Sequence, residues 1–202
     1  MANSKISALT ALTGANVAQL SDVIPIVDTS VTTTKKILVS ELANSMYVLG
    51  TEQASTSGAS IDFTGIPAWA KRITIMFANV SMAGISSLLV QLGDAGGFEA
   101  TGYKSGVVDS SPNSTDSTVG FIITVSYAAA GEYSGKVVLD LEDSANFTWS
   151  SSGIMLRTDN ANVRSHISAG TKSTSAALTQ VRITTTSGTD TFDAGAINIS
   201  YE

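Results

Sequence analysis

The chain contains one histidine, His166, and no cysteine. A Ser-His-Asp arrangement would have to use His166 as its base, because imidazole is the side chain that exchanges protons near neutrality. No G-x-S-x-G elbow accompanies it. In Val163-Arg164-Ser165-His166-Ile167 the histidine reads as a strand or loop residue. With no thiolate, a zinc site would have to be built from several carboxylates, and none cluster at ligand spacing. Gly-rich phosphate-binding motifs are absent as well. Two carboxylate pairs invite comparison with glycoside hydrolysis, Asp140 with Glu142 and Asp190 with Asp193. On a strand, Asp140 and Glu142 would share one face, which is equally the pattern of any strand facing solvent. Asp190 and Asp193 read as turn formers, their side chains bonding nearby amides. No catalytic residue and no cofactor are expected.

Among the aromatics, Trp69 precedes a strong strand and reads as core or hinge packing. Trp149 alternates with Phe147 and reads as core. Tyr103 lies in the longest weakly patterned stretch, about Gly93 to Thr118, and is the candidate for an exposed ligand contact. Asp94, in the turn Asp94-Ala95-Gly96-Gly97, is its candidate companion. Long polar loops on rigid scaffolds commonly carry binding residues. The Asn-x-Ser/Thr triplets at Asn79, Asn113, Asn146 and Asn198 carry no weight in so Ser/Thr-rich a chain.

The elements that would position these residues are strands. The 202 residues allow one ordinary domain and a smaller appendage. Hydrophobic residues make up 43% of the chain, enough for a core. Charged residues make up only 14%, so the polar surface must come from Ser, Thr, Asn and Gly. Period-2 alternation recurs from residue 61 onward: Ile73, Ile75 and Phe77 against Arg72, Thr74 and Met76; Leu88, Val90 and Leu92 against Leu89 and Gln91; Val137, Leu139 and Leu141 against Val138, Asp140 and Glu142. Similar patterns cover Ile61–Thr64, Phe121–Tyr127, Ile154–Arg157, Val163–Ser168, Val181–Thr186 and the final Ile197–Glu202. About nine short strands with Gly/Ser-rich turns predict a mainly β domain over 61–202, an antiparallel, jelly-roll-like β-sandwich. Residues 51–60 read as a linker or the approach to a strand.

Residues 1–50 differ. Ile6, Leu9 and Leu12 recur at three-residue spacing before Gly14 breaks the run. Pro25 makes Ile24-Pro25-Ile26-Val27-Asp28 an extended edge segment. Thr34–Val39 is a short strand candidate, and a helical turn containing Leu42 follows within Val39–Met46. Fifty interrupted residues cannot bury a core alone and need a surface to lean on. These residues are charge-neutral, with three bases and three acids, so 51–202 carries the whole net charge of −6. That balance lacks the clustered Lys and Arg of a nucleic-acid footprint. Neither a membrane-length apolar run nor a signal-peptide core is evident. The expected partners therefore include neither nucleic acid nor the membrane interior.

Two regions resemble bacteriophage virion proteins. Lys5-Ile6-Ser7-Ala8-Leu9, Ile24-Pro25-Ile26-Val27-Asp28 and Thr34–Leu42 resemble an N-terminal segment of phage structural proteins. Phe63–Thr74, Gln91-Leu92-Gly93-Asp94 and the ending Thr189–Glu202 resemble a distal β-domain of tail fibres. The resemblance implies a head- or tail-fibre protein located in the virion. Its residues 1–50, with Ile6, Leu9, Leu12, Ile24, Pro25, Ile26 and Leu42, would dock on other virion proteins. It also implies a homotrimer whose sandwich meets a host surface glycan. A head decoration protein, a free-standing carbohydrate-binding module and a small glycan hydrolase are the competing classes.

Overall fold

The structure is a computed structural model, and it describes residues 23–28, 33–39, 42, 46–125, 129, 131–159 and 163–202. The chain divides into two compact units, Met1–Val48 and Leu49–Glu202. In the first unit β1 (Val23–Asp28) pairs antiparallel with β2 (Thr33–Leu38), Pro25 standing opposite Lys36. Each strand of a two-stranded ribbon has one unpaired side, where a proline is tolerated. Ile24 and Leu42 are exposed, and Pro25 and Ile26 fall within β1. Ile6, Leu9 and Leu12 lie outside the described residues, as does most of the helical turn expected over 39–46.

The second part of the chain is strand-rich throughout. In order come β3 (Val48–Leu49), β4 (Gln53–Ala54), β5 (Ile61–Thr64), β6 (Arg72–Met82), β7 (Leu88–Asp94), β8 (Gly97–Phe98), β9 (Lys104–Asp109), β10 (Ser114–Ser117), β11 (Phe121–Ile122), β12 (Glu132–Asp143), β13 (Thr148–Thr158), β14 (Val163–Ser173), β15 (Gln180–Thr185) and β16 (Phe192–Tyr201). They form two antiparallel sheets. The larger runs β10-β9-β14-β13-β12-β6-β16-β3, with β4 also on β16; the smaller runs β11-β7-β15-β5, with β8 also on β7. Packed together they make the antiparallel β-sandwich that the strand pattern predicts.

The core forms where the inner faces meet. Ile73, Ile75, Val137, Leu139, Ile197 and Ile199 come from the large sheet, and Phe63, Val90, Leu92, Val181 and Ile183 from the small one. Burying each such side chain contributes about 1.5–3 kcal/mol. Strand β7 is buried on both faces, because Leu89 joins Val107, Ile122 and Val125 in a second apolar cluster. Residues 51–60 are part of the sandwich rather than a free linker. Ala54 pairs with Ala196, the buried Ser55 donates its amide to Gly195 O (2.9 Å) and its hydroxyl to Ala194 O (2.8 Å), and Gly58 O accepts from the Phe192 amide (2.9 Å).

Strand β6 carries one irregularity. Between Phe77 and Val80 it spans three steps while β12 spans two, from Gly135 to Tyr133. From Ala78 to Ser81 it again spans three against the two from Ala196 to Ala194 on β16. Asn79 sits at the bulge with φ 51°, a left-handed conformation that asparagine tolerates. Its amide donates to Ser134 Oγ at 3.0 Å, and that hydroxyl donates back to Asn79 Oδ1 at 3.1 Å. Gly195 faces the same level with φ 93°, and a Cβ there would lie 2.4 Å from Asn79 O. Only glycine fits so close to the neighbouring backbone.

Candidate functional site

Tyr103 is not an exposed contact, because the stretch 93–118 is not a loop. It contains β8, β9 and β10, and β9 is hydrogen-bonded along β14. The Tyr103 side chain is 2% exposed. Its hydroxyl donates to Glu99 O (2.9 Å) and accepts from the Leu92 amide (2.7 Å), and its ring packs edge-on against Phe121 at 5.0 Å. Burial holds the phenol above its ordinary pKa. Asp94 is also buried. It accepts from the Gly96 amide (2.7 Å) and from Ser175 Oγ (2.6 Å), and these bonds, the Ser175 one first, hold its carboxyl below the ordinary range.

The structure nonetheless brings the two residues into one network. Ser175 donates its amide to Glu99 Oε1 (2.7 Å), Glu99 pairs with the ammonium of Lys172, and Lys172 stands 5.4 Å from the centre of the Tyr103 ring. Burial raises the Glu99 carboxyl, but the bonds from Lys172 and Ser175 outweigh it and leave it below its ordinary value. These groups tie the β7–β8 turn to the end of β14. Their polar atoms are engaged with one another, so Tyr103 and Asp94 hold the fold together and do not form an open ligand site.

His166 lies on β14, 1% exposed, with Nδ1 accepting the Val125 amide at 3.2 Å. Burial pushes its pKa down to about 4 against the pull of Asp109, with Arg157 and Arg164 pushing the same way as burial. An imidazole sealed from solvent is placed to pack and to accept a backbone amide, not to reach an external substrate. Asp109 shapes the β9–β10 turn by accepting from the amides of Ser111 (2.8 Å) and Asn113 (3.0 Å). Asp140 accepts from Arg72 Nε at 2.6 Å, and Arg72 also reaches Glu202 at 3.3 Å, which stitches β12, β6 and β16 together. Asp190 accepts the Ser86 amide (3.0 Å) and Asp193, within β16, accepts from Ser81 Oγ, so both bind residues distant in sequence rather than the amides of their own turn. Among the described residues no three His, Asp or Glu side chains gather as a metal site.

Two expectations for the aromatics divide. Trp149 is core, as predicted. Trp69 is 49% exposed, its ring 5.7 Å from Tyr201, and so lies outside the core. Phe147 does not share a strand face with Trp149, because it occupies the β12–β13 turn with φ 51°.

The most unusual surface is the outer face of β9, β14 and β13. Strands β13 and β14 alternate strictly, as predicted, but their polarity is inverted. Trp149, Met155 and Arg157 of β13 and His166, Ser168 and Lys172 of β14 point inward and are buried. Ile154 (64%), Leu156, Val163 and Ile167 (60%) point outward and are exposed. Ile154 stands directly opposite Ile167, which in turn stands opposite Val108 of β9, also exposed. The other outward positions of β13 and β14 are Thr148, Ser150, Ser152, Thr158, Ser165, Ala169, Thr171 and Ser173. None is charged, although the chain carries −6. The inward charges are neutralised locally: Arg157 pairs with Asp159 at 2.7 Å, and Lys172 with Glu99. Sequence reasoning found the alternation and missed the sidedness. The signal available was Trp149 and Met155, which share the parity of Arg157 and mark that parity as the inner one.

The small sheet offers a different surface. Ser60, Gln91, Arg182, Thr184 and Ser187 line an open groove of about 300 Å³. Arg182 makes two bonds to Asp62 (2.8 and 2.7 Å) and lies 4.1 Å above the Phe98 ring. Arg182 is thus paired, Gln91 Nε2 donates to Val119 O (2.9 Å) and Thr184 Oγ1 to Ala59 O (2.9 Å), so the groove is polar with its one base neutralised. Comparison of the chain with protein-family models, with curated proteins and with solved structures returns no match.

Proposed function

We propose that the chain is a non-enzymatic, fibre-like structural protein of a bacteriophage virion. The observation that carries this reading is the apolar outer face of β13 and β14, continued by Val108 of β9 and edged by Lys104, a surface suited to contact with protein rather than to chemistry. The ionisable clusters support it, since Asp94, Glu99, Lys172, Asp109 and Asp140 are engaged in ion pairs or turns. Residues 1–50 dock on other virion proteins, the sandwich projects into solvent, and the assembly is a homotrimer. Deleting residues 1–45 leaves a folded, soluble domain that no longer joins particles. Particles that retain the truncated chain would overturn the docking role.

A second reading, a carbohydrate-binding module, is favoured by the groove of Gln91, Arg182 and Thr184. Within the fibre reading the same groove is where a host glycan sits. An array of bacterial surface polysaccharides separates the outcomes. Selective binding lost in Gln91→Ala supports a glycan site, and binding by a chain that never associates with particles favours the free module.

A further inference from the structure

We infer that the contact between Val125 and His166 is an acid-operated latch: protonation of the imidazole releases the Val125 amide and opens the buried polar cluster behind it to water. The inference is independent of the virion reading and adds a conformational device to the sandwich. Val125 ends a short strap, Phe121–Val125, that links β7 to β9 and β14. On the β7 side Phe121 pairs with Val90 and Ile122 with Leu89, the Ile123 amide donates to Leu88 O (3.0 Å), and Thr124 Oγ1 accepts from the Leu88 amide (2.8 Å). On the other side the Ile122 amide donates to Ser105 Oγ (2.9 Å) and the Val125 amide to His166 Nδ1 (3.2 Å). The last bond requires a neutral imidazole with its proton on Nε2. A second proton makes Nδ1 a donor, and two N–H groups then face each other. The strap must give way, not the histidine. Strand β14 is held by eleven residue pairs to β13 and six to β9, whereas the strap's own strand, Phe121–Ile122, is two residues long. Water is close at hand. Val125 and Ile122, with Thr115, Ser117 and Val119, line an open hollow of about 500 Å³, so Val125 borders solvent on one side and the imidazole on the other.

The groups facing the imidazole come from four strands. Asp109 of β9 stands opposite it, Arg157 of β13 is paired with Asp159, Arg164 lies on β14 itself, and the Tyr133 ring of β12 is 5.9 Å away. The strap brings no ionisable group. Burial and the two guanidiniums outweigh the pull of Asp109 and keep the closed form neutral. Solvation on opening removes the largest of these effects, so opening takes up a proton and is favoured as pH falls. Burial raises the Asp109 carboxyl, but the Asn113 and Ser111 amides outweigh it and hold it below its ordinary value, so it stays ionised while the histidine titrates.

The test is amide hydrogen exchange of the full chain, followed by NMR at pH 7 and pH 4.5, with each rate corrected for the intrinsic effect of pH. Protection of the Val125 amide should fall on the order of 50-fold between the two, the factor set by an imidazole pKa of about 4 with the latch closed and near 6.5 with it open. A local opening exposes little surface, so Val125 exchange should be flat in low urea while the amides of Ile75 and Leu139 in the core respond steeply. His166→Gln, which cannot titrate, should remove the pH response. Thr124→Val loses the neighbouring bond from the Leu88 amide and should lower Val125 protection at both pH values while leaving their ratio unchanged. Equal protection at pH 7 and 4.5, Val125 exchange that matches the core amides in rate and urea slope, or a pH response that survives in His166→Gln overturns the latch. Should His166→Gln fail to fold, the pH ratio and urea slope of the wild type decide the matter.

Discussion

The two halves of the large sheet obey opposite polarity. In the half built from β6, β12 and β16, the inner face is Ile73, Ile75, Val137, Leu139, Ile197 and Ile199, and the outer face carries Arg72, Asp140, Glu202 and Lys136. In the half built from β13, β14 and β9, the charges of the two long strands turn inward and their isoleucines outward, with Lys104 of β9 at the outer margin. Both halves are antiparallel and continuous through the β12–β13 ladder. Alternation therefore makes a strand, while the layer on the other side decides which parity is covered. Over the first half lie the apolar strands β7, β15 and β5. Over the second lies the segment around Phe121–Val125, and the acidic partners of the inward bases, Glu99 and Asp159, sit close by.

That contrast can be broken most strongly in the conventional half. Ile75→Ala should destabilise the fold by about 3 kcal/mol in a denaturant titration, since it opens a cavity in a fully buried site. Next comes the inward charge of the inverted half. Glu99→Gln leaves the Lys172 ammonium buried without its counter-ion and should cost about 2 kcal/mol. The same half predicts a pH response of similar or slightly smaller size. The pKa of His166 is about 4 when folded and near 6.5 when unfolded. The unfolded chain therefore binds more protons between those values, and stability falls as pH falls from 7 to 5, by on the order of 2 kcal/mol. The carboxylates with depressed pKa, such as Asp94 and Asp109, lose their contribution only below the ordinary carboxylate range, so this interval isolates the histidine. His166→Gln should flatten the slope. The smallest effect belongs to the inverted face itself. Ile154→Thr should change the stability of an isolated chain by less than about 0.5 kcal/mol, because the side chain is already in solvent. A large loss there would mean that the face is covered within the chain.

Much of the sandwich was legible because its strands are half-buried and alternate. Of the strands expected after residue 60, the one over Phe121–Tyr127 shortens to Phe121–Ile122, with 126 and 127 outside the described residues; the others are present, and Ile73, Ile75 and Phe77 face inward as their period demands. Strands β9 and β10 were hidden because Lys104-Ser105-Gly106 and Ser114-Thr115-Asp116-Ser117 carry no apolar period. Their ladders with β14 and with each other, which sequence does not display, hold them in place. Tyr103 was misread for the same reason: its covering layer, Phe121 and Lys172, arrives from far along the chain. The inverted face was legible as a pattern and illegible as a surface, since parity alone names no inside.

The surplus residue in β6 has a consequence for how the molecule tolerates change in length. Upstream of it the odd-numbered Ile73, Ile75 and Phe77 meet the core; downstream the even-numbered Val80 and Met82 do. Asn79 thus acts as a phase shifter, letting one eleven-residue strand present apolar groups to the interior on both sides of a bend. Removing it would iron the strand flat yet keep the inside residues inside, whereas removing any single residue within Ile73–Phe77 would turn the remainder of that run to face water. Deletions a few positions apart in the same strand are therefore set to have opposite outcomes.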